Sequence, residues 1–386
     1  MSETSNKTCV RFLHVSDIHL DAPFVGLPAD KSEERRKVLR NTFMRLMQYI
    51  RDSKIDVVLI SGDLFNTPHA TNSTAEVLIR EFSTCQDTYF IISPGKHDHY
   101  TANPIYTSGR LPDNVYIFSS DKLSRFDFEE YNVTVYGWAF MDAEMTENPI
   151  KGRHVDDGSR INLVCAYADL DAKAGTTSCP VSLADIKHFG ADYYALGSRH
   201  EASRFSQAGG SKYAYAGALE CMGFDEPGLG GANLITVTYN KSSQSSEHTI
   251  ENKKVTFGRV RFETEILDIT GAQTGNEVIS RISRMISDKK YDNETALRIE
   301  LVGSIDPRFN IPTNMETEAF GLYYFSVVDK TMPLFGTEGF KRDMSVKGEI
   351  FRSYYPYLTS EDEEKRLIAA KAFRLALAAL EKRELP

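Results

Sequence analysis

Residues 55–66 read "IDVVLISGDLFN", in which four apolar residues, 57–60, run directly into Ser61-Gly62-Asp63. An apolar run of that length ending in polar groups predicts a short strand with chemistry at its carboxyl end. The same arrangement lies on either side. Residues 10–15 (VRFLHV) lead into "SDIH", and residues 89–92 lead into "SPGKHDHY" at 93–100. Between these runs, residues 33–52 place Val38, Leu39, Thr42, Phe43, Leu46, Met47 and Ile50 at helical spacing, and a second helix is expected over about 70–82. The β-α-β-α-β order predicts a sheet with helices packed on its faces. Further strands are expected at 115–118, 133–136, 162–166, 193–196 and 233–239. The run Leu196-Gly-Ser-Arg-His200 again sets polar groups just past a strand.

A chain of 386 residues is long for one domain. From about Arg259 a second pattern begins, with a strand over 261–269, a helix over 276–287 and strands over 296–302 and 322–328. It predicts a small α+β domain at 259–330 after a larger domain at 1–258, with an extension over 331–386. That extension ends in a helix from about Glu361, opened by a Ser360-x-x-Glu363 capping box. Its stripe of Leu367, Ala370, Phe373, Leu377 and Leu380 must be covered, by the chain itself or by a partner. The stretch "NKSSQSSEHT" (240–249) reads as a loop tip.

Lys and Arg number 45 against 54 Asp and Glu, a net charge of −9, so the surface as a whole does not advertise nucleic-acid binding; a local basic groove stays open. The five cysteines are scattered without a CxxC pair, which fits a reduced cytoplasmic protein. No run approaches the roughly 20 apolar residues of a membrane span.

The candidate chemistry sits at the strand ends: Asp17-x-His19, Asp63, His97-Asp98 and His200. Carboxylates mixed with imidazoles suit Mn, Fe or Zn better than Ca or Mg. Singly, each of these residues reads as an ordinary turn residue. Their succession, DIHLD, GDLF, G-x-HD and ALG-x-x-H, resembles the calcineurin-like metallophosphoesterases, and within them the SbcD type of DNA-repair exonuclease. The longer runs "DIHLDAPFVGL", "NVYIF" and "GALECMGFDEPGLGGANLITV" carry the same resemblance, which is strong over about 10–260.

The resemblance implies a four-layer α/β/β/α sandwich with a small capping domain and a helical tail. It also implies two metal ions, in-line attack of an activated water on a phosphodiester, and His97 as general acid, oriented by Asp98. The first ion's ligands would be Asp17, His19, a bridging Asp63 and His200, all present. The second ion's own ligands would stand at Lys96, Tyr167 and Ser198, none of which is the family's residue. At most one divalent ion is therefore expected, Mn with Fe or Zn as alternatives, or none. Two such ions sit about 3.5–4 Å apart. A protonated Lys96 in the second ion's place would repel it by roughly 8 kcal/mol at an effective dielectric of 20. Lys96 is expected to turn inward beside Asp63, with a neutral or solvent-directed lysine as the alternative. Asp21 is expected to orient a ligand or cap a turn. Arg199, His69, His99 and His154 are candidate phosphate contacts, with plain loop positions as the alternative.

Two functional classes follow. One is a weak or altered phosphodiesterase acting on DNA or another phosphodiester. The other is a non-catalytic subunit that binds DNA or an SbcC-type ATPase; a second copy of the chain is a further candidate partner.

Overall fold

The computed structural model describes residues 7–24, 27–67, 71–173, 175–240, 248–306, 311–312, 315, 317–334 and 342–380. His69 and most of the serine-rich loop lie outside them. The chain divides into two compact units, Met1–Arg259 and Val260–Pro386.

In the first unit the strands, in chain order, are β1 (Lys7–Val15), β2 (Val57–Ser61), β3 (Tyr89–Ser93), β4 (Val115–Ile117), β5 (Ser124–Phe128), β6 (Val133–Gly137), β7 (Ile161–Tyr167), β8 (Asp169–Leu170), β9 (Pro180–Val181), β10 (Tyr193–Gly197), β11 (Ser206–Ala208), β12 (Ser211–Tyr215), β13 (Gly231–Asn240) and β14 (His248–Thr256). The helices are α1 (Ala29–Asp52), α2 (Asn72–Ser83), α3 (Pro104–Thr107) and α4 (Leu183–Phe189). Two six-stranded sheets result, ordered β14-β13-β1-β2-β3-β4 and β11-β12-β10-β7-β6-β5. β1 to β4 run parallel, as do β6, β7, β10 and β12.

The strand alternation explains the layers. Leu13, Val15, Val58, Ile60, Phe90 and Ile92 face Leu39, Phe43, Leu46 and Met47 of α1 and Leu78 and Phe82 of α2. Val10, Phe12, Val57, Leu59 and Ile91 face the other way, onto Val133, Val135, Leu163, Cys165 and Ala195 of the second sheet. A strand buried on both faces reads as a continuous apolar run, which is why 57–60 shows no polar alternation. The outer face of the second sheet carries Val164, Ala166, Tyr194 and Leu196, covered by Ile186 and Phe189 of α4 and by the coil residues Trp138, Phe140 and Ile150. The architecture is thus helix, sheet, sheet, helix, with a thin fourth layer.

The two sheets approach closely where Gly197 meets Ser61. A Cβ on Gly197 would lie 1.6 Å from the Ser61 carbonyl oxygen, so only glycine fits. His14 braces the same seam, bonded to the Tyr193 hydroxyl at 2.7 Å and the Ser61 hydroxyl at 2.9 Å. Burial holds its pKa down to about 3, and it serves as a neutral core histidine.

The second unit has a three-stranded parallel sheet of β15 (Arg261–Asp268), β16 (Thr295–Val302) and β18 (Tyr324–Asp329), with the two-residue strands β17 (Ser304–Ile305) and β19 (Met332–Pro333) paired beside it. Helix α5 (Gly275–Lys289) packs Val278, Ile282 and Ile286 on Leu297, Ile299 and Leu301. The helix Val346–Leu358, unforeseen because it contains Pro356, joins Phe351 and Leu358 to Ala370, Phe373 and Leu377 of the final helix, Glu363–Leu380. Arg374 ties that helix to Asp329 and Thr331, so contacts run across residue 330. The expected capping box is replaced: Asp362, not Ser360, accepts from the Glu364 and Lys365 amides. Part of the expected stripe is therefore covered by the unit itself. Ile368 and Leu375, on the helix's other side, stay 60% and 42% exposed.

Candidate metal centre

The loops after β1, β2, β3 and β10 and the last residue of β7 converge at one end of the two sheets. The first two loops are zipped by backbone hydrogen bonds, from the Asp17 amide to the Gly62 carbonyl (3.1 Å), from His19 to Asp63 (2.9 Å) and from Leu20 to Leu64 (2.9 Å). Asp17, His19 and Asp63 all sit at positive φ, between 47° and 50°. For non-glycine residues that conformation is uncommon and costly, and it persists only where surrounding bonds hold it.

Asp17, His19 and His200 each offer a ligand atom, and the three lie within 4.8 Å of one another. The two Nε2 atoms of His19 and His200 are 3.1 Å apart. Asp63 Oδ2 approaches His19 Nε2 at 3.7 Å, and Asp17 Oδ1 approaches His200 Nε2 at 3.8 Å. The Ser198 amide, on a backbone with φ 106°, reaches both Asp17 oxygens at 3.3 Å. Asp63 Oδ1 accepts from the His97 amide at 2.9 Å. Its other oxygen, Oδ2, is buried and has no well-formed hydrogen bond among the described residues. A buried carboxylate oxygen without a well-formed hydrogen bond, beside two imidazoles and a second carboxylate, fits a divalent cation.

Electrostatics agree with that fit. Burial pushes the Asp17 carboxyl up to about 6, partly countered by the neighbouring His200. Asp63 is raised well above its ordinary range by burial and then by the charges of Asp98 and Asp17. Burial lowers His19 well below 6.5, helped by His200 and His97. For His200, burial works downward, but the hydrogen bond to Glu226 and the charge of Asp17 outweigh it and raise the pKa.

A metal needs these groups deprotonated. Mn²⁺ affinity is expected to fall about tenfold or more per pH unit below pH 6, measured by titration between pH 5 and 8. The metal-free protein should show the opposite trend. A carboxyl whose folded pKa is raised from 3.8 to about 6 contributes stability below pH 3.8 and loses it as pH rises through 6. A flat Mn²⁺ affinity from pH 7 to 5 would show that Asp17 is not a ligand.

The three positions expected to depart from the family's pattern, Lys96, Tyr167 and Ser198, behave differently from one another. Tyr167 is buried, its ring edge-on to Phe140 at 5.1 Å. A Cβ on Gly62 would lie 2.3 Å from Tyr167 Cδ2, and one on Gly95 would lie 2.9 Å from the same atom and 2.3 Å from Asp63 Oδ1. The ring thus fills the space between the two glycine turns, and its hydroxyl is near enough to Asp63 to draw that pKa down. Lys96 does not turn in beside Asp63. Its ammonium hydrogen-bonds Thr177 Oγ1 at 3.3 Å. The reason is steric, since the Tyr167 ring already lies over the Gly95 turn.

His97 is exposed, with its ring 5.1 Å from that of His19. Asp98 faces away into the fold. It accepts from the Gly95 amide (2.8 Å), the Phe65 amide (3.2 Å) and the Tyr106 hydroxyl (2.6 Å), so it braces the loop backbone. Asp21 accepts from the Thr71 amide and the Thr74 hydroxyl and anchors the start of α2. Arg199 is bonded to Asp169 and the Leu170 carbonyl, over the Tyr215 ring. The His154 ring lies 4.0 Å from that of His188 at a 49° tilt, and His99 is half-buried. An open pocket of about 520 Å³, with Asp169, Asp171, Lys173, Thr176 and Arg199 among its lining, has none of Asp17, His19, Asp63 and His200 there.

One participant escaped the sequence reading. Glu226 Oε1 lies 2.5 Å from His200 Nδ1. It sits inside the quoted "GFDEPG" run, but nothing in that run shows which histidine it meets, 26 residues away.

Residues 10–197 match the calcineurin-like phosphoesterase family. A relative in Bacillus subtilis, the uncharacterized metallophosphoesterase YhaO, is 24% identical over 77% of this chain and 72% of its own. The DNA double-strand break repair protein Mre11 of Sulfolobus acidocaldarius is 23% identical over 93% of this chain and 94% of its own. A dimetal phosphatase structure from Danio rerio aligns over 64% of this chain and 99% of its own, at 12% identity and a TM-score of 0.39. Among the described residues, no helix is long and apolar enough to cross a membrane.

Proposed function

For a chain whose residues 10–197 form a calcineurin-like phosphoesterase domain, we propose a single-metal phosphodiesterase of the SbcD and Mre11 kind, attenuated by loss of the second metal position. The observation that carries this reading is the contrast within one site. Asp17, His19 and His200 bring their ligand atoms within 4.8 Å of one another, with Asp63 beside them, while the buried Tyr167 ring packs against the Gly62 and Gly95 turns on the side of Asp63 where the second ion is expected in the family. The relatives named for double-strand break repair support a DNA phosphodiester as the substrate class.

A bound divalent ion would polarise the phosphoryl oxygen and acidify water. Asp17, His19, Asp63 and His200 would hold it, with Mn²⁺ the best match to this donor set. His97 stands at the exposed rim and would deliver the proton to the leaving oxygen. Burial, then the charges of His200 and Lys96, lower its pKa below 6.5, against the opposing pull of Asp98. Only a minority of His97 would be protonated at neutral pH, a second reason for slow turnover. Asp98, which accepts from the Gly95 and Phe65 amides, would keep the His97 loop in place while its charge opposes the lowering of the His97 pKa.

The test is hydrolysis of bis(4-nitrophenyl) phosphate with Mn²⁺. We expect slow, EDTA-sensitive turnover at no more than one Mn²⁺ per chain. Asp17→Asn should reduce it by on the order of 100-fold, with little change in melting temperature. Two tightly bound ions in the unaltered chain would overturn the proposal. One bound ion without turnover would favour the second reading, a subunit that binds DNA or an SbcC-type ATPase. The exposed Ile368 and Leu375 on the final helix supply the specific support for that reading.

A further inference from the structure

We propose that Glu226 is a positioning residue that sets the tautomer and ring orientation of His200. The inference rests on the reading of His200 as a metal ligand and adds the residue that makes it competent. Three observations carry it. Glu226 Oε1 is 2.5 Å from His200 Nδ1, so the carboxylate takes the proton-bearing nitrogen as its donor. Glu226 Oε2 accepts from the Met222 amide at 2.7 Å, which anchors the other end of the same carboxylate. The Glu226 side chain is only 13% exposed, so water competes weakly for either bond.

The consequence follows from imidazole chemistry. A neutral histidine carries one proton, and the nitrogen opposite is left with its lone pair. With Nδ1–H held by Glu226, the lone pair is on Nε2, the atom 3.1 Å from His19 Nε2 and 3.8 Å from Asp17 Oδ1. The opposite tautomer would put a hydrogen at that point and block the metal. A histidine ligand backed by a carboxylate is also a better donor, and loss of such a backing group typically costs about 10–100-fold in metal affinity. His200 is on the loop after β10 and Glu226 on the loop before β13, so the pair also fixes two loops against each other.

The experiment has two arms. In metal-free protein labelled with ¹⁵N at histidine, long-range ¹H–¹⁵N correlation reads the tautomer of each ring directly. Assigned by comparison with His200→Ala, His200 should be Nδ1–H in the native chain, and a mixture or Nε2–H in Glu226→Ala. In the second arm Mn²⁺ is titrated by EPR. Glu226→Ala should bind about 10–100-fold more weakly. Glu226→Gln, which keeps an acceptor oxygen but loses the charge, should fall between the two. If Glu226→Ala does not fold, as judged by its melt, the Gln variant carries both readouts. A native Nε2–H tautomer, or unchanged Mn²⁺ affinity in both variants, would overturn the proposal. If the tautomer shifts as expected but the native chain binds no Mn²⁺, the positioning role stands and the single-metal reading fails.

Discussion

Combining Lys96→Asn, Tyr167→His and Ser198→His in one chain is expected to raise bound Mn²⁺ from one ion to two. Phosphodiester turnover should rise by on the order of 100-fold. That factor corresponds to roughly 3 kcal/mol of added transition-state stabilisation, within the several that a second metal's charge supplies. The structure ranks the three changes. Tyr167→His is the necessary one, because its ring occupies the space between Gly62 and Gly95 against Asp63. Lys96→Asn removes a cation, but one already turned toward Thr177, so alone it should do little. Ser198→His places an imidazole on a backbone already at φ 106°, whose amide must continue to hold Asp17. Single changes should each leave the stoichiometry at one. The gain should appear only in combination, as for residues that act as a unit. Mn²⁺ counting by elemental analysis and the bis(4-nitrophenyl) phosphate assay together read the result. A triple variant that stays at one ion would show that Tyr167 is not the obstacle. Two ions without faster turnover would place the defect outside the metal site.

The second large effect is on stability. Arg35 and Glu220 form an ion pair at 3.0 Å with both side chains fully buried. Glu220 also accepts from the Thr42 hydroxyl and the Arg259 amide, and Arg35 reaches the Cys221 carbonyl. Arg35→Met should destabilise the first unit by about 3–5 kcal/mol, because it strands a buried carboxylate. The melting temperature should fall by on the order of 10 °C. Adding Glu220→Met should recover part of that loss, since the stranded charge is then gone. A loss under about 1 kcal/mol for Arg35→Met would refute this account. The pair matters beyond stability, because Glu220 and Cys221 lie in the β12–β13 connection that presents Glu226 to His200. Arg35→Met should therefore also weaken Mn²⁺ binding.

Much of the first unit was legible in the sequence because its strands are buried on both faces. Such strands show as unbroken apolar runs with polar groups at one end, as 57–60 followed by Ser-Gly-Asp illustrates. Two edge strands, β5 and β14, were missed, although β4, the other edge of the first sheet, was expected at 115–118. β14 alternates half-buried and exposed residues with Lys253 and Lys254 side by side, and β5 is mostly exposed, so neither has an apolar signature. The helix Val346–Leu358 was masked by Pro356, which a packed helix accepts near its end. At the terminal helix both Ser360 and Asp362 are good caps, and only the backbone path selects Asp362.

By itself the sequence determined that Asp17, His19, Asp63, His97 and His200 sit at strand ends, since strand position follows from local hydrophobic pattern. It also set the expectation that Lys96, Tyr167 and Ser198 differ in kind from the residues the resemblance implies at a second half-site. Which way each of those side chains points was decided only by the tertiary structure. The Tyr167 ring packs on Gly62, Gly95 and Phe140, where it buries apolar area without desolvating an ammonium, while the Lys96 ammonium turns to Thr177. The pairing of Glu226 with His200 was likewise invisible in one dimension. Hydrogen bonds between loops depend on how two sheets stack, and no local pattern encodes that distance.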